Sequence, residues 1–560
     1  MKRNRIYHLV ALLIGTLLLG ACSQQSPSEE AINKGDSQTS MHFAVRVAMD
    51  RSLRGVNQEQ KDESGTKSEQ GIKQGLVLFK DYPSMQATLS EESAGTGIWK
   101  SAPMALQSEM STQVSMTLLL NSNSLGTLTG TDFAQDRVIE LKDLLGIAGT
   151  TGEGMLMTAT VSDPARNTVS IDSKATEQEV LQGSKNNFPF DVERVVAKVQ
   201  ITKSSSVTAE LKDVGTLKLP LTYSMAGSAK QSYLFRDKAG SRTLSESSPN
   251  FYKDYISLID ANTVPTDWDP KKGHPFLQRV SDKEGEEYIL NGYYRNPKEV
   301  KNGVTDRASI NGGFYFLENS MYGNNRVASK KGEIKYNRIA YAKVYTKLTP
   351  THAYTTKDTN GSYERVIASP EEFTKEQSYD MEISKELYDE LSKDPAYKGR
   401  LSSGFVTKPG SADGYMSYSL SVTDKLGTFY EGVDDGLLYL RLRDAVLMGN
   451  KSVRKYDEGR MVYLIPLNRQ LDGAKGFVNY CDTRRNNIYD LNIASISGIG
   501  LNHDPVDPDD PNIPKPEDNP YEPPTNPQIP VEEDEKEYPM RITAKILKWN
   551  LVEKHYALWH

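Results

Sequence analysis

The sequence predicts an all-β protein built as two β-sandwiches, and three observations carry that reading. Short apolar runs recur along the chain, divided by Gly, Ser and Asn clusters, which is the pattern of strands joined by tight turns. Tyrosine is in excess, with 30 residues against 14 phenylalanines and 4 tryptophans. Its ring packs on a sheet while its hydroxyl stays in water. Only two cysteines occur in 560 residues, so stability must come from ordinary cores, and a chain of this length divides most naturally into two domains.

The first residues read as an export signal. Lys2, Arg3 and Arg5 precede an apolar run from Leu9 to Gly20 that is too short to span a bilayer as a stable helix. It ends in Leu19-Gly20-Ala21-Cys22, which resembles the bacterial lipobox and implies a lipid on Cys22 after cleavage before it. An ordinary secretory signal with a chance cysteine is the alternative. A lone acylated cysteine anchors a chain without spanning the membrane, and no other segment is long and apolar enough to cross. With Cys22 given to lipid, Cys481 stands alone and no intramolecular disulfide forms. Cys481 ends the strand-like run from Gly476 and reads as a small buried hydrophobe.

After a polar spacer from Ser23 to Thr39, residues 41–49 alternate, placing Phe43, Val45, Val47 and Met49 on one face. Arg51 and Arg54 follow at once, and Gly55 to Gly71 is polar, with nothing to build a core. From there Leu76–Phe79, Val114–Leu120, Met155–Val161 and Thr168–Ile171 read as strands. A helix is expected from the Asp132 cap to Leu145, with Val138, Leu141, Leu144 and Leu145 on one side. A second series of strands covers Val192–Ile201, Leu217–Tyr223, Arg338–Tyr345, Leu437–Leu442, Met461–Pro466 and Ile488–Ile496. Large insertions, Lys230–Ser309 and Pro350–Asp435, separate them, and Ser384 caps a short helix in the second.

The chain is thereby divided into a signal peptide (1–21), a propeptide (22–54), an N-terminal sandwich (55–189), a C-terminal sandwich (190–502), a Pro/acidic tether (503–540) and a closing segment (541–560). In the tether, prolines lack the amide donor and the acidic residues repel, so an extended stretch without a core is expected. Asp504, Asp507, Asp509 and Asp510 could be taken for calcium ligands, but no glycine bend or regular spacing organises them, and plain solvation is the reading. Beyond the tether, Ile542, Ala544 and Ile546 alternate. The apolar phase then changes at Ile546-Leu547 towards Trp549 and Leu551, which predicts a bulge or two successive strands.

A net charge of −7 gives no footprint for nucleic acid. The sequence has no His-Glu-x-x-His, Gly-x-Ser-x-Gly, Cys-x-x-Cys or P-loop pattern, and its histidines are scattered. Asp434-Asp435 lies between glycines and reads as a turn rather than as a pair of glycosidase carboxylates. No enzyme activity, metal or cofactor is expected.

Several segments, taken in their order, resemble the type V fimbrillins of the Bacteroidales, the lipoprotein-precursor pilin superfamily, and most of all the minor fimbrium shaft subunit. They are Val192-Glu-Arg-Val-Val-Ala-Lys-Val199, Phe316-Leu-Glu-Asn-Ser320 followed by the Arg338–Tyr345 strand, and the stretch from Arg485-Asn-Asn-Ile-Tyr to Gly498-Ile-Gly500. The lipobox, the arginines after the first strand and the closing strand with Trp549 also fit. The resemblance implies two transthyretin-like Greek-key β-sandwich domains, export as an outer-membrane lipoprotein precursor, and an arginine-specific surface protease as a partner. Among the arginines, Arg46 lies inside the strand. The bond Arg54–Gly55 is the expected cut, at the edge of the flexible stretch, with Arg51–Ser52 as second choice.

Cleavage would excise the strand carrying Phe43, Val45, Val47 and Met49, leaving an apolar groove between unpaired backbone groups. The closing segment of a neighbour, with Ile542, Ala544, Ile546, Leu547, Trp549 and Leu551, would enter as the replacement strand. Burying about four apolar side chains contributes on the order of 6–12 kcal/mol before ordering costs. Head-to-tail repetition gives a filament rather than a closed ring. The partners so implied are copies of itself, accessory tip and anchor pilins, and host or bacterial surface receptors met in adhesion and biofilm formation. The alternative is a membrane-anchored surface lipoprotein, or an accessory tip or anchor pilin, that binds a glycan or host protein. In that case both terminal strands are permanent members of their own domains.

Overall fold

The computed structural model describes residues 42–49, 71–92, 98–105, 111–130, 137–140, 154–159, 168–229, 231–235, 296–302, 313–318, 339–360, 362–407, 410–467, 470–472, 477–480, 485–505, 519–523 and 540–548, with a few isolated positions between them. By internal contacts the chain separates into Met1–Ser40 and Met41–His560, and the first unit lies outside the described residues. The second is all-β, and its helices are short pieces.

The first sheet is built from β1 (His42–Met49), β2 (Gly75–Phe79), β3 (Trp99–Ser101), β4 (Gln113–Leu120), β5 (Met157–Ala159) and β6 (Asn187–Arg194). Its order is β2–β4–β5–β6–β1–β3, with Met85–Ala87 beyond β2 and Leu89–Glu91 beyond β3. β2 is buried at every position, as its unbroken Leu-Val-Leu-Phe run requires. Helix α1 (Glu177–Leu181) starts on a capping box, Thr176 with Glu179, and lays Val180 over Ala44 of β1.

The run Val192–Ile201, expected as one strand, is two. β6 ends at Arg194, the chain passes through Val195-Val196, and β7 (Ala197–Lys203) opens in a different sheet. Both linking valines are buried, so the apolar run hides the break. After β7 come β8 (Thr222–Ala226), β9 (Phe314–Phe316) and β10 (Tyr341–Pro350). β10, ten residues long, is the strand around which Gly215–Leu217, β8 and a later strand assemble.

The second large insertion forms its own layers. β11 (Gln377–Ile383), helix α2 (Lys385–Leu391), β12 (Leu401–Thr407) and β13 (Gly414–Asp424) make a three-stranded sheet ordered β11–β13–β12, flanked by the helix. Ser384 caps α2 as its sequence predicts, accepting from the Leu387 amide at 3.2 Å. β14 (Phe429–Gly432), helix α3 (Leu442–Leu447) and β15 (Val453–Tyr456) close a second core around Tyr430, Tyr439 and Leu420.

The chain then returns through β16 (Arg460–Pro466), paired with β10, and β17 (Asn487–Ile496), which runs parallel to β7. β18 (Met540–Lys548) lies antiparallel on β17 at the edge of that sheet.

Three further expectations are corrected. Where a helix is expected over 132–145, Val138–Glu140 is a strand that pairs with Gln231–Tyr233; tertiary pairing overrides the local pattern. The Leu217–Tyr223 strand is broken between Leu217 and Thr222, where Pro220 withholds an amide. The start of the tether is not solvated. His503, Asp504, Asp510 and Asn519 are buried, because Asp504 accepts from Tyr341 Oη at 2.8 Å and lies 3.6 Å from Lys343 Nζ. Further along, Asn519 Nδ2 donates to the Val453 carbonyl at 2.6 Å, and Val453 N donates to the Tyr521 carbonyl at 2.9 Å.

Candidate functional site

The first sheet depends on β1 in a specific way. β1 pairs in parallel with β6 from Ala44↔Asn187 to Met49↔Val192, and antiparallel with β3 at Arg46↔Lys100 and Val47↔Trp99. It also meets Met104–Ala105 through Phe43 and His42. Val45 N donates to Ser101 Oγ at 3.0 Å, and Ala44 N to the Asn186 carbonyl at 2.9 Å. Val45 is buried in the main core and Ala44 beneath α1. Arg46 pairs with Glu92 at 2.7 Å on the half-exposed side. No other strand joins β6 to β3 among the described residues, so taking β1 away divides the sheet into two pieces and leaves two facing open edges.

At the far end of the chain, β18 contacts one strand. Its register with β17 runs unbroken from Asn487↔Lys548 to Ile493↔Ile542 and resumes at Ser495↔Arg541, leaving Ala494 as an extra residue. Ala544, Ile546 and Leu547 face Leu491, Tyr489 and Ile488 in the ladder. The ladder runs regularly through Ile546-Leu547, so the irregularity expected there is absent; the bulge is instead on β17 at Ala494, opposite the start of β18. Phe43, Val47 and Met49 occupy β1 at the registers above. Cys22, Arg51, Ser52, Arg54, Gly55, Cys481, Trp549 and Leu551 lie outside the described residues.

Between the arginines and β2 lies a contact that sequence reasoning missed. Glu69 is fully buried; its carboxylate meets Lys198 Nζ at 2.8 Å and accepts from Tyr315 Oη at 2.5 Å, while its carbonyl accepts from Arg194 Nε at 3.0 Å. Burial pushes the Arg194 guanidinium down to about 10, against the opposing pull of Glu69. This clasp pins the chain downstream of the expected cut to β6, β7 and β9.

A second buried junction explains why particular segments stand out in the sequence. Arg485 binds the Glu318 carboxylate through Nη2 at 2.6 Å and Nε at 2.9 Å, and donates to the Leu234 carbonyl at 2.9 Å. Ser232 Oγ closes on Glu318 at 2.5 Å. Asn486 accepts from the Arg194 amide at 3.3 Å. Arg194 of Val192–Val199, Glu318 of Phe316–Ser320 and the Arg485-Asn486 pair thus converge on one polar core. Such a network is stable only when each member has its partner. Its geometry holds β6, β7 and β17 in place. Among the described residues no group of three or more His, Cys, Asp or Glu could hold a metal ion, and no helix is long and apolar enough to cross a membrane.

Residues 454–555 match the family model described as the C-terminal part of fimbrillin, major fimbrial subunit protein type IV. That stretch takes in almost all of β15 and the whole of β16, β17 and β18. Among curated proteins no match to the chain was found. The solved structures it is similar to include a fimbrillin from Porphyromonas gingivalis W83, at 11% identity over 93% of this chain and 99% of that one, with a TM-score of 0.36. The tip fimbrial protein Mfa3 from P. gingivalis, truncated at its C-terminus, is 9% identical over 91% of this chain and 100% of its own, with a TM-score of 0.31. A fimbrial assembly protein from Parabacteroides distasonis is 11% identical over 59% of this chain and 96% of its own, with a TM-score of 0.21.

Proposed function

Taking the chain as a fimbrillin, on the match of residues 454–555, we propose that it is the structural shaft subunit of a surface fimbria and polymerises by exchanging a strand. So read, the chain is a fimbrial subunit rather than an enzyme. In this reading it reaches the outer membrane as a lipoprotein on Cys22, and an arginine-specific protease cuts at Arg54–Gly55, or failing that at Arg51–Ser52. Strand β1 then leaves, and the closing segment of a neighbour, beginning with Ile542, Ala544, Ile546 and Leu547, takes its place between β6 and β3. Tip and anchor pilins cap the filament.

The observation that carries this reading is the position of β1 in the middle of its sheet. A vacated central slot has donors and acceptors on both sides and an apolar floor, so only another strand restores it. The edge position of β18 supports the other half, since a strand with one neighbour leaves at the loss of one ladder. The Glu69 clasp lies beyond both candidate cuts, so the N-terminal sheet stays tied to β7 and β9 after cleavage.

The test is N-terminal sequencing of the high-molecular-weight form recovered from the cell surface. A start at Gly55 or Ser52 is the expected result. A start at acylated Cys22 would mean that β1 is retained and would favour the anchored lipoprotein instead.

A further inference from the structure

We propose that β12 pairs edge to edge with β12 of a second copy of this chain, as a side-by-side contact between subunits. Its use between neighbouring fibres rests on the fimbrial reading above; the contact itself does not. β12 is bonded to β13 on one side and is the outer strand of its sheet among the described residues. Its seven residues, Leu401-Ser-Ser-Gly-Phe-Val-Thr407, contain no charge and no proline, and their register with β13 is unbroken. Charges, prolines and bulges are the devices that normally blunt an open edge.

The edge is also complementary to itself. Ser421 N donates to the Arg400 carbonyl at 2.8 Å, so the alternate residues Leu401, Ser403, Phe405 and Thr407 turn their N–H and C=O groups outward. An antiparallel pairing centred on Ser403 sets Ser403 against its own copy and Leu401 against Phe405 of that copy, with outward residues meeting outward residues throughout. The contact is then isologous, with a two-fold axis at Ser403.

Apolar surface is already exposed on β12 itself, where this pairing would cover it, and on the neighbouring strand. Phe405 is 63% and Met416 48% exposed on one face of the hairpin, and Val406 42% and Tyr415 45% on the other. The Phe405 ring lies over Gly414, where a Cβ would come within 2.4 Å of it, so the ring is seated on the tip. The base of the same face is covered instead, by Tyr388 of α2, whose ring centroid is 4.9 Å from that of Tyr418.

One pair of seven-residue strands buries less than the roughly 1,200–2,000 Å² of a stable complex. Isolated subunits therefore pair weakly, and the contact gains force where many copies are aligned. Lys398 and Arg400 precede the strand and Lys408 follows it, so like charges gather at both ends and salt strengthens the association.

Sedimentation velocity of the purified uncut chain over rising concentration, at low and high salt, tests this. A weak dimer that grows with salt is expected. Ser403→Lys and Ser403→Pro should weaken it at least tenfold with the melting temperature retained, because the Ser403 amide points away from β13. Ile367→Lys, at a site 61% exposed on another strand, should leave it unchanged. A chain that stays monomeric at millimolar concentration overturns the proposal. So does a Ser403→Lys variant that dimerises like its parent, or an Ile367→Lys variant that weakens dimerisation as much. A dimer that persists in a protein never recovered as fibres would sink the fimbrial reading alone.

Discussion

The two terminal strands of the described fold differ in one respect that decides what each can do. β1 lies between β6 and β3 and holds two halves of a sheet together, whereas β18 lies outside β17 and holds nothing beyond itself. Losing a central strand opens two edges and exposes core on both faces; losing an edge strand opens one. A central strand leaves only if something covalent changes, which is where a protease acting beyond Met49 would enter. An edge strand on a long Pro/acidic segment can exchange without chemistry. Under the proposed function, the N-terminal strand is the one cut out and the C-terminal strand the one lent, which matches this asymmetry.

The contrast is broken most directly by attacking both strands. Val45→Asp puts an unpaired charge at a fully buried position of β1 and should cost about 4 kcal/mol or more. Ending the chain at Pro539, which removes β18, should cost less, about 1–3 kcal/mol, and leave a folded monomer unable to polymerise after cleavage. Thermal melts of the two uncut proteins measure this, and equal losses would refute the central-against-edge distinction.

A second substitution sharpens the N-terminal side. Glu69→Ala strands Lys198 in the interior and should cost about 3–5 kcal/mol, as breaking one partner of a buried pair does. In the cleaved protein the same change should expose the bonds after Lys73 and Lys80 to trypsin within minutes, while the parent resists. Equal resistance would show that the clasp is not what retains the new N-terminus.

A pH-dependent effect concerns the docked start of the tether. Burial, with Arg454 nearby, pushes the His503 imidazole down to about 4. Undocked, it takes up a proton below about 6.5 while the docked form does not, so docking weakens as pH falls from about 6.5 to 4, by up to about 3 kcal/mol. Amide exchange at Asn502 and Asp504 measured across that range should quicken relative to the β4 amides. A flat ratio would contradict it.

Much of this fold is legible in the chain. Leu76–Phe79, Val114–Leu120, Met461–Pro466 and Ile488–Ile496 were all expected strands, and Ser384 an expected cap, because burial on one face and the capping of orphan amides are properties of neighbours in sequence. The misses share a cause. Val195-Val196 reads as the middle of a strand because a buried corner and a buried strand carry the same residues. Val138–Glu140 reads as helical because its partner, Gln231–Tyr233, lies far along the chain.

By itself, then, the sequence determined an all-β chain with an alternating apolar strand at each end, arginines just after the first and a proline-rich approach to the last. Local periodicity and backbone chemistry suffice for that. Only the tertiary structure decided that one strand is central and the other an edge, that Glu69 is clasped, and that Arg485 meets Glu318. Those depend on partners as far as 292 residues apart, as Arg194 and Asn486 are. No local pattern encodes which distant backbone or charge a residue will find, since that is settled by how the sheets pack.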